Sequence, residues 1–137
     1  MKVARSGRIQ IQEIPDAARG SITVFERGLP FSVKRVYAIH GVTDLRAVRG
    51  GHAHKKNDQA LFMLKGALTL NLDDGVIQES VRVAAGEAGV LLRPMLWHSM
   101  SDFTEDAIAL VLASEPYDES DYIRDYEEFK KHESPVQ

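Results

Sequence analysis

The 137-residue chain contains no cysteine, which excludes a disulfide framework, a thiolate nucleophile and a zinc site built on thiolates. It also has no apolar run near the ~18 residues that a membrane-spanning helix needs. The first residues lack the apolar segment of a signal peptide. From these absences we expect a cytoplasmic protein with no membrane partner.

Neither sign of charge is in large excess. The chain has 17 Lys and Arg against 20 Asp and Glu, a formal net charge of −3, so nothing suggests nucleic acid or an anionic membrane as a partner. A hydrophobic content of 44% and a charged content of 27% are typical of soluble globular proteins. Because there is no internal repeat and no long linker, we expect residues 1–137 to form a single domain.

Short β-prone segments, punctuated by Gly, Pro and Asp, run through most of the chain. Ala67–Leu72 alternates apolar and polar residues, and the Asp-Asp-Gly sequence that follows it suits a tight hairpin turn. Gly7–Ile14 is also expected to be a strand, stopped by Pro15. Strands this short and closely spaced predict an all-β protein, an antiparallel sandwich or barrel.

The period of the pattern changes near the C-terminus, where a short helix is expected from Ser120 onward, capped by Ser120 or Asp118. Four apolar or aromatic residues recur there at helical spacing: Tyr122, Ile123, Tyr126 and Phe129. We expect the aromatic rings of this stripe to pack the helix against the barrel.

A histidine motif is the main functional signal. His52 and His54 are two residues apart on an expected strand, so their side chains point to the same face. Gly50 and Gly51 precede them and allow unusual backbone angles or a close approach of another group. A third histidine, His98, ends a Pro-Met-Leu-Trp-His sequence further along. The pattern predicts a functional site built on these histidines.

The His-x-His and Pro-x-x-x-His sequences resemble the two motifs of the cupin superfamily, with Gly66 closing the first motif and Gly89 opening the second. The resemblance implies a double-sheet antiparallel barrel, or jelly roll, often with a metal held by three histidines and a glutamate. This chain departs from that pattern where the carboxylate is expected. Lys55, Lys56 and Gln59 stand there, and they disfavour a divalent cation. We therefore expect no bound metal, although three histidines alone can hold zinc.

Longer stretches are similar to a narrower family, the sugar-nucleotide 3,4-ketoisomerases, in the same order along most of the chain. These stretches are Arg19-Gly20-Ser21, Pro30–Tyr37, Arg49–Lys56, Leu72–Gly75, Trp97-His98 and Tyr117–Arg124. The resemblance implies an isomerase with no metal and no cofactor that moves the ketone of dTDP-4-keto-6-deoxy-D-glucose from C4 to C3. It also implies a homodimer that exchanges N-terminal strands, and a role in making 3-amino sugars for lipopolysaccharide, S-layer glycans or antibiotics.

Histidine suits this chemistry because it takes and gives protons near neutral pH. A ketone at C4 acidifies the C3 hydrogen, and its removal gives an enediolate. Our hypothesis assigns the carbon proton to His54 and the oxygen proton to His52. Arg49 is the candidate for stabilising the enediolate oxygen, and Tyr37 for a hydroxyl relay.

Five further residues are candidates for substrate binding: Lys56, Gln59, Trp97, His98 and Tyr117. Lys56 would reach the diphosphate. Trp97 and Tyr117 would offer aromatic platforms, with packing in the core as their alternative. His98 would either contact substrate or only orient the pocket wall.

Other functions remain open at this point. A 3,5-epimerase of the same substrate also uses a barrel, a histidine base and a tyrosine, but it usually pairs the histidine with an aspartate, and no such partner is identified in the sequence. A non-catalytic sugar-binding cupin would not need a proton-transfer pair such as His52 and His54. A metal-dependent dioxygenase would be recognised by bound metal. The configuration of the product at C4 is not predicted.

Overall fold

The computed structural model describes residues 1–132, and strands dominate its regular structure. One five-stranded sheet has the order β1 (Ser6–Ile9), β9 (Gly89–Leu92), β6 (Gln59–Lys65), β11 (Ile108–Ala113) and β4 (Arg35–His40). The other has the order β12 (Tyr122–Ile123), β5 (Arg49–His54), β10 (Trp97–Ser101), β7 (Ala67–Asp73) and β8 (Gln78–Ala84). All paired strands in both sheets are antiparallel. The expected all-β, cupin-type double-sheet barrel is confirmed.

The main core lies between the two sheets. On β7, Leu68, Leu70 and Leu72 are buried while the residues between them are half-buried, as period-two alternation requires. They belong to one cluster with Leu61 and Met63 of β6. Full burial of each such side chain is worth about 1.5–3 kcal/mol, so this cluster is the principal support of the barrel.

Part of the N-terminal region packs on the outer face of the first sheet, and another part forms a separate hairpin. Phe25 packs on Phe62, with ring centroids 5.0 Å apart. Further out, β2 (Gln12–Asp16) and β3 (Gly20–Val24) form a hairpin whose strands pair only with each other among the described residues. Ile14 and Ile22 face each other on this hairpin and are 45% and 62% exposed. The hairpin therefore extends from the barrel with apolar side chains uncovered.

The predicted strand Gly7–Ile14 is two strands. The chain pairs with β9 through Ser6–Ile9, leaves the sheet, and resumes as β2 in the hairpin. Pro15 does not stop this second strand but lies within it, opposite Ser21. Proline is tolerated there because β2 is an edge strand, paired with β3 alone among residues 1–132.

The only α-helix among residues 1–132 is α1, Tyr126–Lys131. Its N-cap is Asp125, whose side chain accepts a hydrogen bond from the backbone N–H of Glu127. The expected short C-terminal helix is confirmed, but it begins at Tyr126 and not near Ser120, because Glu119–Asp121 is a single 3-10 turn, capped by Asp118, and β12 follows it. No helix in the described part of the chain is long and apolar enough to cross a membrane.

The expected aromatic stripe is consequently split between the two faces of the second sheet. Phe129 of α1 packs against Ala53 on the outer face, in a cluster that also contains Tyr126 and Trp97. Tyr122 lies in β12 instead and pairs with His54 of β5. Its assignment to helix packing is wrong, because an extended residue at this register brings its ring to the histidines.

Candidate active site

The backbone of β5 places the two histidines of the His-x-His motif on the inner face of the second sheet. Ala53 between them is fully buried on the opposite face, so His52 and His54 share one side of the strand. Gly50 and Gly51 both adopt positive φ angles, 85° and 83°. A Cβ on Gly50 would lie 3.1 Å from the carbonyl oxygen of His98. Gly50 thus permits the close approach of β10, whereas Gly51 is needed only for its backbone angle.

Strand pairing collects three histidines and one tyrosine at this point. His98 of β10 pairs with His52, and Tyr122 of β12 pairs with His54. The ring centroid of His52 lies 4.9 Å from that of His54 and 4.8 Å from that of His98. The Tyr122 ring lies 4.5 Å from His54 and 4.9 Å from His52. The sequence motifs therefore converge on one cluster.

Two of these histidines are oriented by hydrogen bonds at Nδ1. The Nδ1 of His54 lies 3.0 Å from a carboxylate oxygen of Asp121, and the Nδ1 of His98 lies 3.1 Å from the carbonyl oxygen of Leu96. Because a carboxylate and a carbonyl only accept, both neutral rings carry their proton on Nδ1. The Nε2 of each ring is then the lone-pair nitrogen.

The environment keeps these histidines neutral at pH 7 but not equally so. Burial, with the neighbouring His98 and His54, lowers the pKa of His52 to about 2. Burial lowers the pKa of His98 to about 4. Burial also lowers the pKa of His54, but the hydrogen bond and negative charge of Asp121 act in the opposite direction. His54 is therefore the member whose surroundings stabilise a bound proton.

A cavity of about 380 Å³ opens beside the cluster. Six of the residues that line it carry polar or ionisable groups: His52, Tyr37, Tyr122, Arg35, Arg49 and Arg124. The guanidinium of Arg124 lies 4.2 Å from the Tyr122 ring centroid, and that of Arg35 lies 5.4 Å from the Tyr37 ring centroid. Three guanidinium groups beside a neutral histidine cluster suit a ligand with an anionic part and an uncharged reacting part.

Tyr37 is held from behind by Gln59. The buried amide of Gln59 donates a hydrogen bond from Nε2 to the Tyr37 hydroxyl, over 2.8 Å. Burial raises the pKa of Tyr37, and the bond from Gln59 opposes that effect. Gln59 therefore reaches the cavity through Tyr37.

Most of the residues predicted from the sequence meet at this place. His52, Tyr37 and Arg49 line the cavity, and the buried rings of His54 and His98 adjoin His52. Tyr117, 61% exposed, lies at the rim, where its ring centroid is 5.8 Å from that of Tyr122.

Two predicted binding residues lie elsewhere. Trp97 precedes His98 on β10 and so faces the opposite side of the sheet, where its ring centroid lies 5.3 Å from that of Tyr126 and 5.6 Å from that of Phe129. The side chain of Lys56 is exposed and is not among the residues that line the cavity. Its backbone N–H bonds to Asp121.

Sequence reasoning missed Asp121, Tyr122, Arg124 and Arg35 as site residues. Asp121 is the histidine partner that no sequence pattern had revealed, 67 positions from His54. The part of the sequence argument against an epimerase that rested on the lack of such an aspartate is therefore wrong, while the similarity of Arg49–Lys56 to the ketoisomerases still favours the isomerase. One signal was available: Arg35 is two residues from Tyr37 in a β-prone segment, which forms β4, and so shares its face.

The three histidines are also the only described group able to hold a metal ion, since one nitrogen from each lies within 4.8 Å of the others. Two nitrogens bound to one zinc at about 2.1 Å are at most ~4.2 Å apart, so the rings would have to move closer. Gln59, near the position of the cupin carboxylate, is bonded to Tyr37 instead. The cluster offers three ligand nitrogens, but their spacing is not that of a preformed metal site.

Comparison with known proteins identifies similar sequences over nearly the whole chain. The family model described as "FdtA: WxcM-like, C-terminal" matches residues 5–134. A protein of Aneurinibacillus thermoaerophilus, named TDP-4-oxo-6-deoxy-alpha-D-glucose-3,4-oxoisomerase, is 44% identical over 126 residues, which cover 90% of this chain and 89% of that protein.

Solved structures agree in fold. The QdtA 3,4-ketoisomerase from Thermoanaerobacterium thermosaccharolyticum, a double mutant in complex with TDP, superposes with a TM-score of 0.90 at 38% identity, covering 96% of this chain and 95% of that one. The WlaRB TDP-quinovose 3,4-ketoisomerase from Campylobacter jejuni gives a TM-score of 0.88 at 36% identity, covering 95% and 100%.

Proposed function

Because the chain belongs to the FdtA, WxcM-like family, we propose that it is a 3,4-ketoisomerase acting on TDP-4-oxo-6-deoxy-α-D-glucose, the substrate named for its relative. The cavity is the observation that carries this proposal. It joins three guanidinium groups, suited to a diphosphate, to a buried histidine cluster that is neutral at pH 7 and so able to accept a proton. A protein that only binds a sugar nucleotide would not need a proton-transfer cluster beside its phosphate-binding groups.

The reaction removes a proton from C3 and adds one to C4, and it moves a proton from the C3 oxygen to the C4 oxygen. No net oxidation occurs. A base removes the C3 hydrogen, and the electron pair forms the C3–C4 double bond of an enediolate, with negative charge on the C4 oxygen. The proton of the C3 hydroxyl passes to the C4 oxygen, and a proton is then delivered to C4 as the electron pair left on the C3 oxygen forms the C3 carbonyl. The ketone now stands at C3 and the hydroxyl at C4.

The different environments of the two β5 histidines support their predicted roles. His54 carries the carbon proton, because its Nε2 is the lone-pair nitrogen and Asp121 stabilises the ring when it is charged. His52 stays neutral, with a pKa of about 2, and serves as a hydrogen-bond partner that moves the oxygen proton. The Nε2 of His54 is buried, so substrate reaches it only after a neighbouring ring, His52 or Tyr122, moves.

Arg49 and Tyr37 act on the oxygens. Arg49 lines the cavity and is a fixed positive charge close to where the enediolate forms. Tyr37 accepts a hydrogen bond from Gln59, which leaves its own O–H proton free to point into the cavity and relay to a sugar oxygen. His98 supports His52 from the neighbouring strand and contributes to the wall of the binding site.

The outer part of the site binds the nucleotide. Arg35 and Arg124 contact the diphosphate, joined by Lys56 if its flexible side chain turns toward the mouth. Tyr117 at the rim offers an exposed ring for the base, next to the guanidinium of Arg35 at 5.8 Å. Trp97 contributes to binding only through the strand that it shares with His98.

We further propose a homodimer in which the β2–β3 hairpin crosses to a second copy. The hairpin supports this because it has no other strand partner within residues 1–132 and exposes Ile14 and Ile22. Light scattering of the protein and of Ile14→Glu/Ile22→Glu tests the proposal: the wild type should be a dimer and the variant a monomer, and a monomeric wild type would contradict it. Family resemblance alone supports a cytoplasmic role in making 3-amino sugars for surface glycans.

Proton NMR in D2O tests the activity. The protein is mixed with TDP-4-oxo-6-deoxy-glucose beside His54→Asn and a control, His40→Asn, which alters an exposed histidine on β4. We expect signals of a 3-keto sugar with deuterium at C4 from the wild type and control, and none from His54→Asn. Exchange at C3 and C5 without migration of the ketone would identify the epimerase instead. No exchange would refute both activities for this substrate.

A further inference from the structure

We propose that Asp121 is a positioning residue that holds His54 in the one tautomer able to accept a proton from substrate. This inference rests on the proposed isomerase function. Asp121 does not line the cavity, and it meets Lys56, a residue proposed for the diphosphate, only at the backbone N–H and not at the side chain. It acts on the reaction only through the imidazole of His54.

The carboxylate of Asp121 is fixed at both oxygens. Oδ2 lies 3.0 Å from Nδ1 of His54, and Oδ1 accepts the backbone N–H of Lys56 over 2.7 Å. The side chains of Asp121 and His54 are only 4% and 3% exposed, so water does not compete for either bond. The backbone carbonyl of Asp121 also accepts the N–H of Lys55 over 2.9 Å. Main chain and side chain together prevent the carboxylate from rotating.

This arrangement allows only one tautomer of the neutral His54 ring. Nδ1 must be the protonated nitrogen, because it faces a carboxylate oxygen. Nε2 is then a lone pair, and it is buried with no hydrogen-bond partner among the described residues. A buried acceptor without a partner is costly, and a catalytic role is one reason for a protein to keep it. Here the group that can satisfy it is the proton that leaves the sugar.

The isosteric change Asp121→Asn would reverse the tautomer with little change in shape. The amide oxygen must stay at Oδ1, because only an acceptor can face the N–H of Lys56. The amide NH2 would then face Nδ1 of His54 and donate to it. The ring proton would move to Nε2, and His54 would lose the lone pair that it needs as a base.

A purely structural role for Asp121 makes a different prediction. If the carboxylate only satisfies buried groups, the asparagine variant would lose stability but retain its tautomer and its turnover. The two roles are therefore separated by the protonation state of the His54 nitrogens, which can be observed without substrate. They are also separated by whether the effect of Asp121 on turnover passes through His54.

The experiment combines 15N NMR of histidine-labelled protein with steady-state kinetics. In the wild type we expect the His54 Nδ1 to show the shift of a protonated nitrogen and Nε2 that of a lone-pair nitrogen. In Asp121→Asn the two should exchange, with kcat reduced about 10²- to 10⁴-fold and KM changed less than about threefold. Asp125→Asn, which keeps the α1 cap, is the matched control and should behave as wild type.

A double-mutant comparison completes the test. Added to His54→Asn, the Asp121→Asn change should reduce turnover no further, because its route to the reaction is already removed. A wild-type His54 protonated on Nε2 would overturn the inference even if Asp121→Asn does not fold, and so would unchanged turnover in that variant. Failure of the wild type to convert the sugar would refute the proposed function, while leaving the tautomer measurement to decide the role of Asp121.

Discussion

The amide of Gln59 on β6 donates a hydrogen bond to the hydroxyl of Tyr37 on β4, over 2.8 Å. Gln59 stands near the position where metal-binding cupins place a carboxylate, and here its amide is bonded to the candidate catalytic residue Tyr37. Since the Tyr37 oxygen already accepts this bond, its own proton is available to the cavity. Gln59 thus orients the tyrosine that we propose as a hydroxyl relay.

Removal of the Tyr37 hydroxyl should reduce turnover. We expect Tyr37→Phe to lower kcat about 10²-fold, the low end of general acid–base contributions. Gln59→Met, which keeps the buried volume, should lower kcat about fivefold because it removes a hydrogen bond worth about 1 kcal/mol. Kinetics of the double variant give the control: if Gln59 acts through Tyr37, the second change adds nothing. Fully additive losses would contradict this coupling.

The guanidinium groups of the cavity should set the affinity for substrate. We expect Arg35→Ala and Arg124→Ala each to raise KM about tenfold or more, because each removes a charge-assisted contact to the diphosphate. KM should also rise with salt concentration as these charges are screened. Arg46→Ala is the control, since Arg46 is exposed, is near Asp44 and does not line the cavity. An equal change in KM for Arg46→Ala would reject the assignment.

Much of the fold could be predicted because its elements depend on the pattern of neighbouring residues in the sequence. The alternation of Ala67–Leu72 and the spacing of His52 and His54 each depend on a few neighbouring residues, and both predictions are confirmed. The C-terminal helix was placed too early for the same reason. The spacing of Tyr122, Tyr126 and Phe129 fits a helix, but tertiary pairing of β12 with β5 overrides it.

The rest of the site depends on contacts that no local pattern reveals. Asp121 reaches His54 only because β12 pairs with β5 at one particular register. The cavity likewise brings Arg35 of β4 to Arg124, which follows β12 in the other sheet. Trp97 is the opposite case: as a strand neighbour of His98 it had to face the other side of the sheet, so strand alternation alone could have placed it.

Trp97 offers a test of its remaining assignment to substrate binding. Its ring packs on Tyr126 and Phe129, so Trp97→Ala should lower the free energy of unfolding by about 3 kcal/mol, measured by urea denaturation. The position of the ring on the outer face predicts little change in KM. A large rise in KM, without the same rise in Phe129→Ala as a matched packing control, would show that Trp97 does bind substrate.

The burial of His98 predicts that acid destabilises the protein. The pKa of His98 is about 4 in the folded chain against 6.5 when unfolded. Above pH 6.5 the ring is neutral in both states, but as the pH falls toward 4 the unfolded chain binds the proton first, and the free energy of unfolding decreases. The loss amounts to about 3 kcal/mol from this residue. Urea denaturation at pH 7 and pH 4 should show a smaller decline for His98→Gln than for the wild type, with His40→Gln, at an exposed position of β4, as control. An identical decline in wild type and His98→Gln would mean that His98 is not the group whose protonation opposes folding.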